Sequence, residues 1–223
     1  MFFLVPQVQE SEEVKQSVLD LIMKGGPMGV AIVGILLILS VIALYIFIER
    51  VMTIKKAGKV DQSFFNNIKT AVAAGNIEGA AAMCQTNDSP MSKMILKGLK
   101  RIGKPLRDID AAIENVGNLE LYKLEKNLST LASIAGAAPM IGFFGTVTGM
   151  IMAFYTMATE QNVTPDALAG GIYQALITTA FGLAIGIFAF VGYNYLVSLV
   201  DKVVFKMEQT SVEFMDLLQE PTA

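Results

Sequence analysis

Residues 28–48 read MGVAIVGILLILSVIALYIFI, 21 residues without a charge, inside an uncharged stretch that opens at Gly25. At about 1.5 Å per residue a helix of that length crosses a hydrocarbon core about 30 Å thick. Two longer runs follow. Asn127 to Thr159 is uncharged for 33 residues and Ala167 to Val200 for 34, and each exceeds the roughly 20 that a membrane helix needs. The sequence therefore predicts an all-α membrane protein with three transmembrane helices, the second and third extended into a helical cytoplasmic domain. The opening MFFLVPQVQ has no basic n-region, so no cleaved leader is expected and the first span is read as an anchor.

Basic residues beside a span are retained on the cytoplasmic side. Glu49 to Lys126 holds 13 of the 17 Lys and Arg, with Arg50, Lys55, Lys56 and Lys59 after the first run and Lys123 and Lys126 before the second. The first 24 residues carry two basic and four acidic groups, and Glu160 to Asp166 has two acidic groups and no basic one. The expected order is a periplasmic N-terminal segment 1–27, span one at 28–48, a cytoplasmic helical region 49–126, span two at 127–159, a periplasmic loop 160–166, span three at 167–200 and a cytoplasmic helical tail 201–223.

Composition closes off several classes. Hydrophobic residues make up 53% and charged residues 17%, against about 25% charged in an ordinary soluble domain. There is no histidine, which removes imidazole-based triads and metal sites. Cys84 is the only cysteine and forms no internal disulfide. A net charge of −3 argues against nucleic acid as a partner. No enzyme chemistry, cofactor or metal is expected, and an intramembrane hydrolase lacks its residues. A secondary transporter would need inverted repeats or broken-helix pairs, which the sequence does not display.

Outside the spans the pattern is helical. Val14, Val18, Leu21 and Ile22 recur among Glu12, Glu13, Lys15 and Asp20, either as an amphipathic helix on the outer leaflet or as a solvated leader helix. Helices are predicted over Asp61–Ala74, Ile77–Cys84 and Met91–Ile102. A further one starts at an N-cap Asp108 and runs into span two, with Pro139 as its first break. Val203, Met207, Val212, Met215 and Leu218 continue span three as an amphipathic tail.

Within the spans there is no charge, so a proton route must use hydroxyls, amides, water or a carboxylate from another chain. The polar candidates are Thr146 and Thr148 in span two and Gln174, Thr178, Thr179 and Asn194 in span three. Small residues form stripes through Gly142, Gly145 and Gly149 and through Gly182 and Gly186, which with Pro139 are read as helix-packing positions. On a helical wheel Gln174 and Thr178 are about 40° apart and Gln174 and Thr179 about 140° apart, so Gln174 and Thr179 cannot both point straight at one axis.

Two stretches carry a resemblance. Residues 138–150, APMIGFFGTVTGM, resemble the APxxGLxGTVxGM signature of the MotA/TolQ/ExbB proton-channel family, and residues 171–183, GIYQALITTAFGL, resemble its GIxEALxxTAxGL segment. Three spans rather than four place the match with the ExbB/TolQ branch. The resemblance implies an inner-membrane subunit that converts proton motive force into mechanical work. It implies a homo-oligomer, a pentamer in ExbB, whose second and third spans surround a pore holding the single helices of ExbD- or TolR-like chains. The partner's Asp would carry the proton and a TonB-like protein would receive the work. Carried over, Thr146 and Thr179 match the pore threonines, with Gln174 and Thr178 beside them on the pathway. Gln174 stands where that branch has a glutamate, and a carboxamide cannot ionise. A Tol-type or motility role, and a non-conducting membrane scaffold, remain as alternatives.

Overall fold

In the computed structural model, residues 26–59, 62–159 and 165–219 are described. The predicted N-terminal amphipathic helix lies outside them, as do most of the loop at 160–166 and the last four residues. Seven helices follow one another among the described residues: α1 (Gly26–Ala57), α2 (Gln62–Ala73), α3 (Ile77–Thr86), α4 (Pro90–Leu99), α5 (Leu106–Leu124), α6 (Leu128–Thr159) and α7 (Pro165–Gln219). Three segments, within α1, across α5–α6 and within α7, are long and apolar enough to cross a membrane. The chain is thus an all-α, multi-pass membrane protein.

The short helices are delimited by local chemistry. After α2, Gly75 takes φ 73°, its N–H donates to the Val72 carbonyl, and the Asn76 N–H donates to the Ala71 carbonyl at 2.9 Å. That is the Schellman arrangement, which needs a residue free to enter the left-handed region. Asn76 then caps α3, its Oδ1 accepting from the Gly79 N–H at 2.9 Å. Ser89 caps α4 by accepting from the Ser92 N–H at 3.2 Å, and Pro90 occupies the first turn, where a missing N–H costs nothing.

Three expectations are corrected. Pro105, not Asp108, precedes α5, and Asp108 sits in its first turn, where its carboxylate favours the positive end of the helix dipole. The helix predicted to run from the loop into span two is instead divided after Leu124, with Asn127 at φ 64°. Asparagine tolerates that region better than most residues. Pro139, by contrast, interrupts nothing, since α6 continues through it.

The described residues form two compact units. In the unit built from Ile38–Pro139 and Ala184–Ala223, α4, α5 and the later part of α7 share a core. Phe214 is wholly buried there with Ile95, Ile113 and Met91, and a Cβ on Gly98 would lie 2.6 Å from Phe214 and 2.9 Å from Ile113. Proline has no N–H, so the Ala135 carbonyl has no donor four residues on. Gly186 of α7 lies against this point, where a Cβ would overlap the Pro139 ring and come 3.1 Å from the Ala135 oxygen. Close approach of α7 packs the kink-prone turn from the side. The other unit, residues up to Leu37 with Met140–Leu183, buries Ile32, Val33, Leu36, Ala175 and Thr178.

Candidate functional site

Within this second unit α6 and α7 approach closely because glycines face each other. A Cβ on Gly142 would stand 2.7 Å from the Thr178 carbonyl oxygen and 3.0 Å from Gly182 Cα. One on Gly145 would stand 2.8 Å from Thr178 Cβ, and one on Gly149 2.9 Å from Ala175 Cβ. Such proximity places side-chain hydroxyls within reach of the opposite backbone.

Thr146 of α6 and Thr179 of α7 are hydrogen-bonded to each other through their hydroxyls. Thr146 Oγ1 is also 2.9 Å from the Ala175 carbonyl oxygen across the interface. Thr179 Oγ1 is 3.1 Å from the Gly142 carbonyl oxygen on the facing helix. Each hydroxyl has one proton, so these contacts form two alternative chains. Either Thr146 donates to Thr179, which donates to Gly142, or Thr179 donates to Thr146, which donates to Ala175. The pair is half-buried and can reverse its hydrogen-bond direction without moving a heavy atom.

The other polar residues singled out in the sequence occupy different settings, Asn194 donating to the Phe190 carbonyl of its own helix at 2.8 Å. Thr178 is 2% exposed, and its hydroxyl reaches the Ala175 carbonyl at 2.7 Å and the Gly142 carbonyl at 3.3 Å. It lies beside Gly145, itself next to Ile32 of α1. Gln174 turns its carboxamide to Gly29 of α1, where a Cβ would collide with it. The wheel separation between Gln174 and Thr179 thus corresponds to two neighbouring helices, α1 for the first and α6 for the second. Thr148 returns its hydroxyl to its own helix, to the Phe144 and Gly145 carbonyls at 3.0 and 3.1 Å.

Two features, the burial of Arg50 and of Glu120, were not legible as such. Arg50, which reads as a cytoplasmic flank, is 6% exposed; it pairs with Glu49, and its Nη1 donates to the Lys123 carbonyl at 3.0 Å, satisfying an orphan carbonyl in the last turn of α5. Glu120 is 7% exposed and accepts from Lys123 at 2.6 Å and from Lys93 at 3.4 Å, while Lys93 also reaches Asp88 at 2.7 Å. Cys84 is buried, which pushes its thiol up to about 11. Among the described residues no three His, Cys, Asp or Glu side chains gather into a metal site.

Residues 86–209 match the model of the MotA/TolQ/ExbB proton channel family, a stretch that includes Thr146, Gln174, Thr178 and Thr179. The chain belongs to that family. An ExbB homolog of biopolymer transport from Methanothermobacter thermautotrophicus is 32% identical over 175 residues, which cover 77% of this chain and 62% of that protein. The Tol-Pal system protein TolQ of Pseudomonas aeruginosa is 30% identical over 166 residues, 70% of this chain and 72% of the relative. The biopolymer transport protein ExbB of Neisseria meningitidis is 24% identical over 186 residues, 77% of this chain and 83% of the relative. The matched stretch therefore spans less than two thirds of the first of these relatives.

Proposed function

We propose that this chain is an ExbB-like stator subunit of the inner membrane, with its N-terminus periplasmic and its C-terminus cytoplasmic. It assembles as a homo-oligomer, a pentamer by analogy with ExbB, around the single helices of an ExbD-like partner. Proton flow through that assembly does mechanical work on a TonB-like protein. The observation that carries this reading is the Thr146–Thr179 hydroxyl pair, set in helices that hold no charge from 127 to 159 and from 167 to 200.

The physics follows from that neutrality. A partner carboxylate beside uncharged helices in low dielectric pays desolvation when ionised, so its pKa rises and it takes up a proton from the periplasmic side. Two hydroxyls that can reverse direction donate to the carboxylate when it is charged and accept from the acid when it is neutral. Each elementary charge crossing the membrane releases about 2.3 kcal/mol per 100 mV, so a few protons supply several kcal/mol for moving the partner helices against the ring. Thr178, enclosed by carbonyls, acts in packing, and Gln174 tunes the α1 contact instead of titrating.

A TolQ-like role in envelope maintenance is the second reading, favoured by the Pseudomonas relative. Co-expression separates the two: the chain should co-purify with an ExbD-like single-span protein whose Asp is required for proton flux, and restore either TonB-dependent uptake or envelope integrity. A purified assembly with no space for a partner helix between its α6–α7 pairs would leave a non-conducting scaffold.

A further inference from the structure

On the unit that contains Phe47 and Tyr195, α1 and α7 run parallel. Phe47 meets Gly192, where a Cβ would lie 3.0 Å from the ring, and 11 residues further along both helices a Cβ on Gly58 would lie 3.2 Å from Val203. Phe47 packs edge-on to Phe188, with ring centroids 5.7 Å apart, and lies 6.2 Å from Tyr195. Beside these rings is a groove of about 780 Å³ whose lining is almost entirely apolar; Ile48 and Met52 form its α1 wall, and Ile187, Val191 and Tyr195 its α7 wall. Met52, Ile187 and Val191 are each more than 60% exposed.

Both walls end in lysines. With about 100° per residue, Lys55 falls within about 20° of Ile48 and Lys56 within about 40° of Met52, while Lys202 falls within about 20° of Val191. All three are exposed; among the described residues none forms an ion pair, although the Asp88 carboxyl feels the charge of Lys56. Asp201 is turned about 80° away from Val191. Lys206, one turn beyond Lys202, donates to the Gly58 carbonyl at 2.9 Å and ties the two helices together below the groove.

We infer that this groove binds one anionic phospholipid, with an acyl chain against Phe47, Val191 and Tyr195 and its phosphate on Lys55, Lys56 and Lys202. Apart from the Tyr195 hydroxyl the lining residues carry no polar side-chain group, as a hydrocarbon chain requires. The lysines lie at one end of the groove only, about 6 Å past Met52 and about 10 Å past Tyr195 at 1.5 Å per residue, where a headgroup follows its chain. The inference does not depend on proton conduction.

The test is native mass spectrometry of the purified full chain from mixed micelles containing phosphatidylglycerol and phosphatidylcholine with matched chains. Wild type should retain phosphatidylglycerol in preference, and replacing Lys55, Lys56 and Lys202 with Gln should erode that preference by about fivefold per lysine. Val191→Trp, which fills the groove, should abolish retention of both lipids while the circular dichroism spectrum and melting temperature of the protein stay close to wild type. Because the three lysines are exposed, the Gln variant serves if Val191→Trp does not fold. Equal retention of the two lipids by wild type, or a preference unchanged by the Gln substitutions, overturns the assignment.

Discussion

Gly142 of α6 and Thr178 of α7 lie so close that a Cβ on the glycine would stand 2.7 Å from the threonine carbonyl oxygen. The obstructing atoms belong to backbone on both sides, because the next nearest is Gly182 Cα at 3.0 Å. Neither can swing aside. Gly142→Val should therefore separate α6 from α7 at an overpacking cost of about 1–3 kcal/mol, read as a lower melting temperature in detergent. Gly136→Ala is the control: a Cβ there meets nothing within 4 Å, and the replacement should hold or raise stability through helix propensity.

Arg50 joins α1 to the end of α5. Its guanidinium pairs with Glu49 and donates to the Lys123 carbonyl, so Arg50→Met leaves a partly buried carboxylate with only the Thr53 hydroxyl and a helix-terminal carbonyl unpaired. The expected loss is about 1–3 kcal/mol. Arg50→Lys should recover only part of it, because an ammonium is a point charge without the planar fork. Chemical denaturation of the three proteins in one detergent measures the order.

The spans were legible because a charge in hydrocarbon is costly, so three long uncharged runs leave little choice. The α5–α6 division was not, since only the left-handed φ of Asn127 reveals it, and nothing in its neighbours' composition stops a helix. Pro139 misleads in the opposite direction. A proline reads as a break, yet α6 passes through it with Gly186 packed alongside. Of the candidate site, the wheel separated Gln174 from Thr179 but did not say which helix each would meet. Arg50 was hidden by the rule that reads basic residues after a span as solvated flanks.

Cys84 should be slow to react in the folded protein. Burial raises its thiol from an ordinary 9.0 to about 11, so little thiolate is present at neutral pH. A raised folded value means that the neutral thiol's contribution to stability is intact below about 9 and is lost as pH rises from there toward 11. Alkylation with iodoacetamide should be slow at pH 8 and accelerate sharply on adding denaturant. Cys84→Ser should flatten that alkaline part of the stability profile.

Asp88 is held below the ordinary carboxylate range by the Lys93 ammonium, through a hydrogen bond first and charge second. Lys93 is raised above 10.5 by the Asp88 hydrogen bond, with Glu120 adding to it against burial. The depressed carboxylate contributes above 3.8 and ceases to as pH falls below that value; the raised ammonium contributes below 10.5 and ceases to above it. Asp88→Asn should therefore have a small destabilising effect that is constant through neutral pH and closes toward both extremes, measured by thermal melts across pH. Asp88 is exposed, so high salt should shrink the effect as well.

Proton flux into liposomes holding the chain with its ExbD-like partner bears most directly on the Thr146–Thr179 pair. Replacing both with Val keeps the branched shape and removes only the two hydroxyls, and the assembly should still form while flux driven by an imposed potential falls at least about tenfold, or about 1.4 kcal/mol of barrier. Thr148→Val, whose hydroxyl reaches only the Phe144 and Gly145 carbonyls of its own helix, should conduct close to wild type. Undiminished flux in the double Val protein, with the partner still bound, would contradict the assignment of this hydroxyl pair to the proton path.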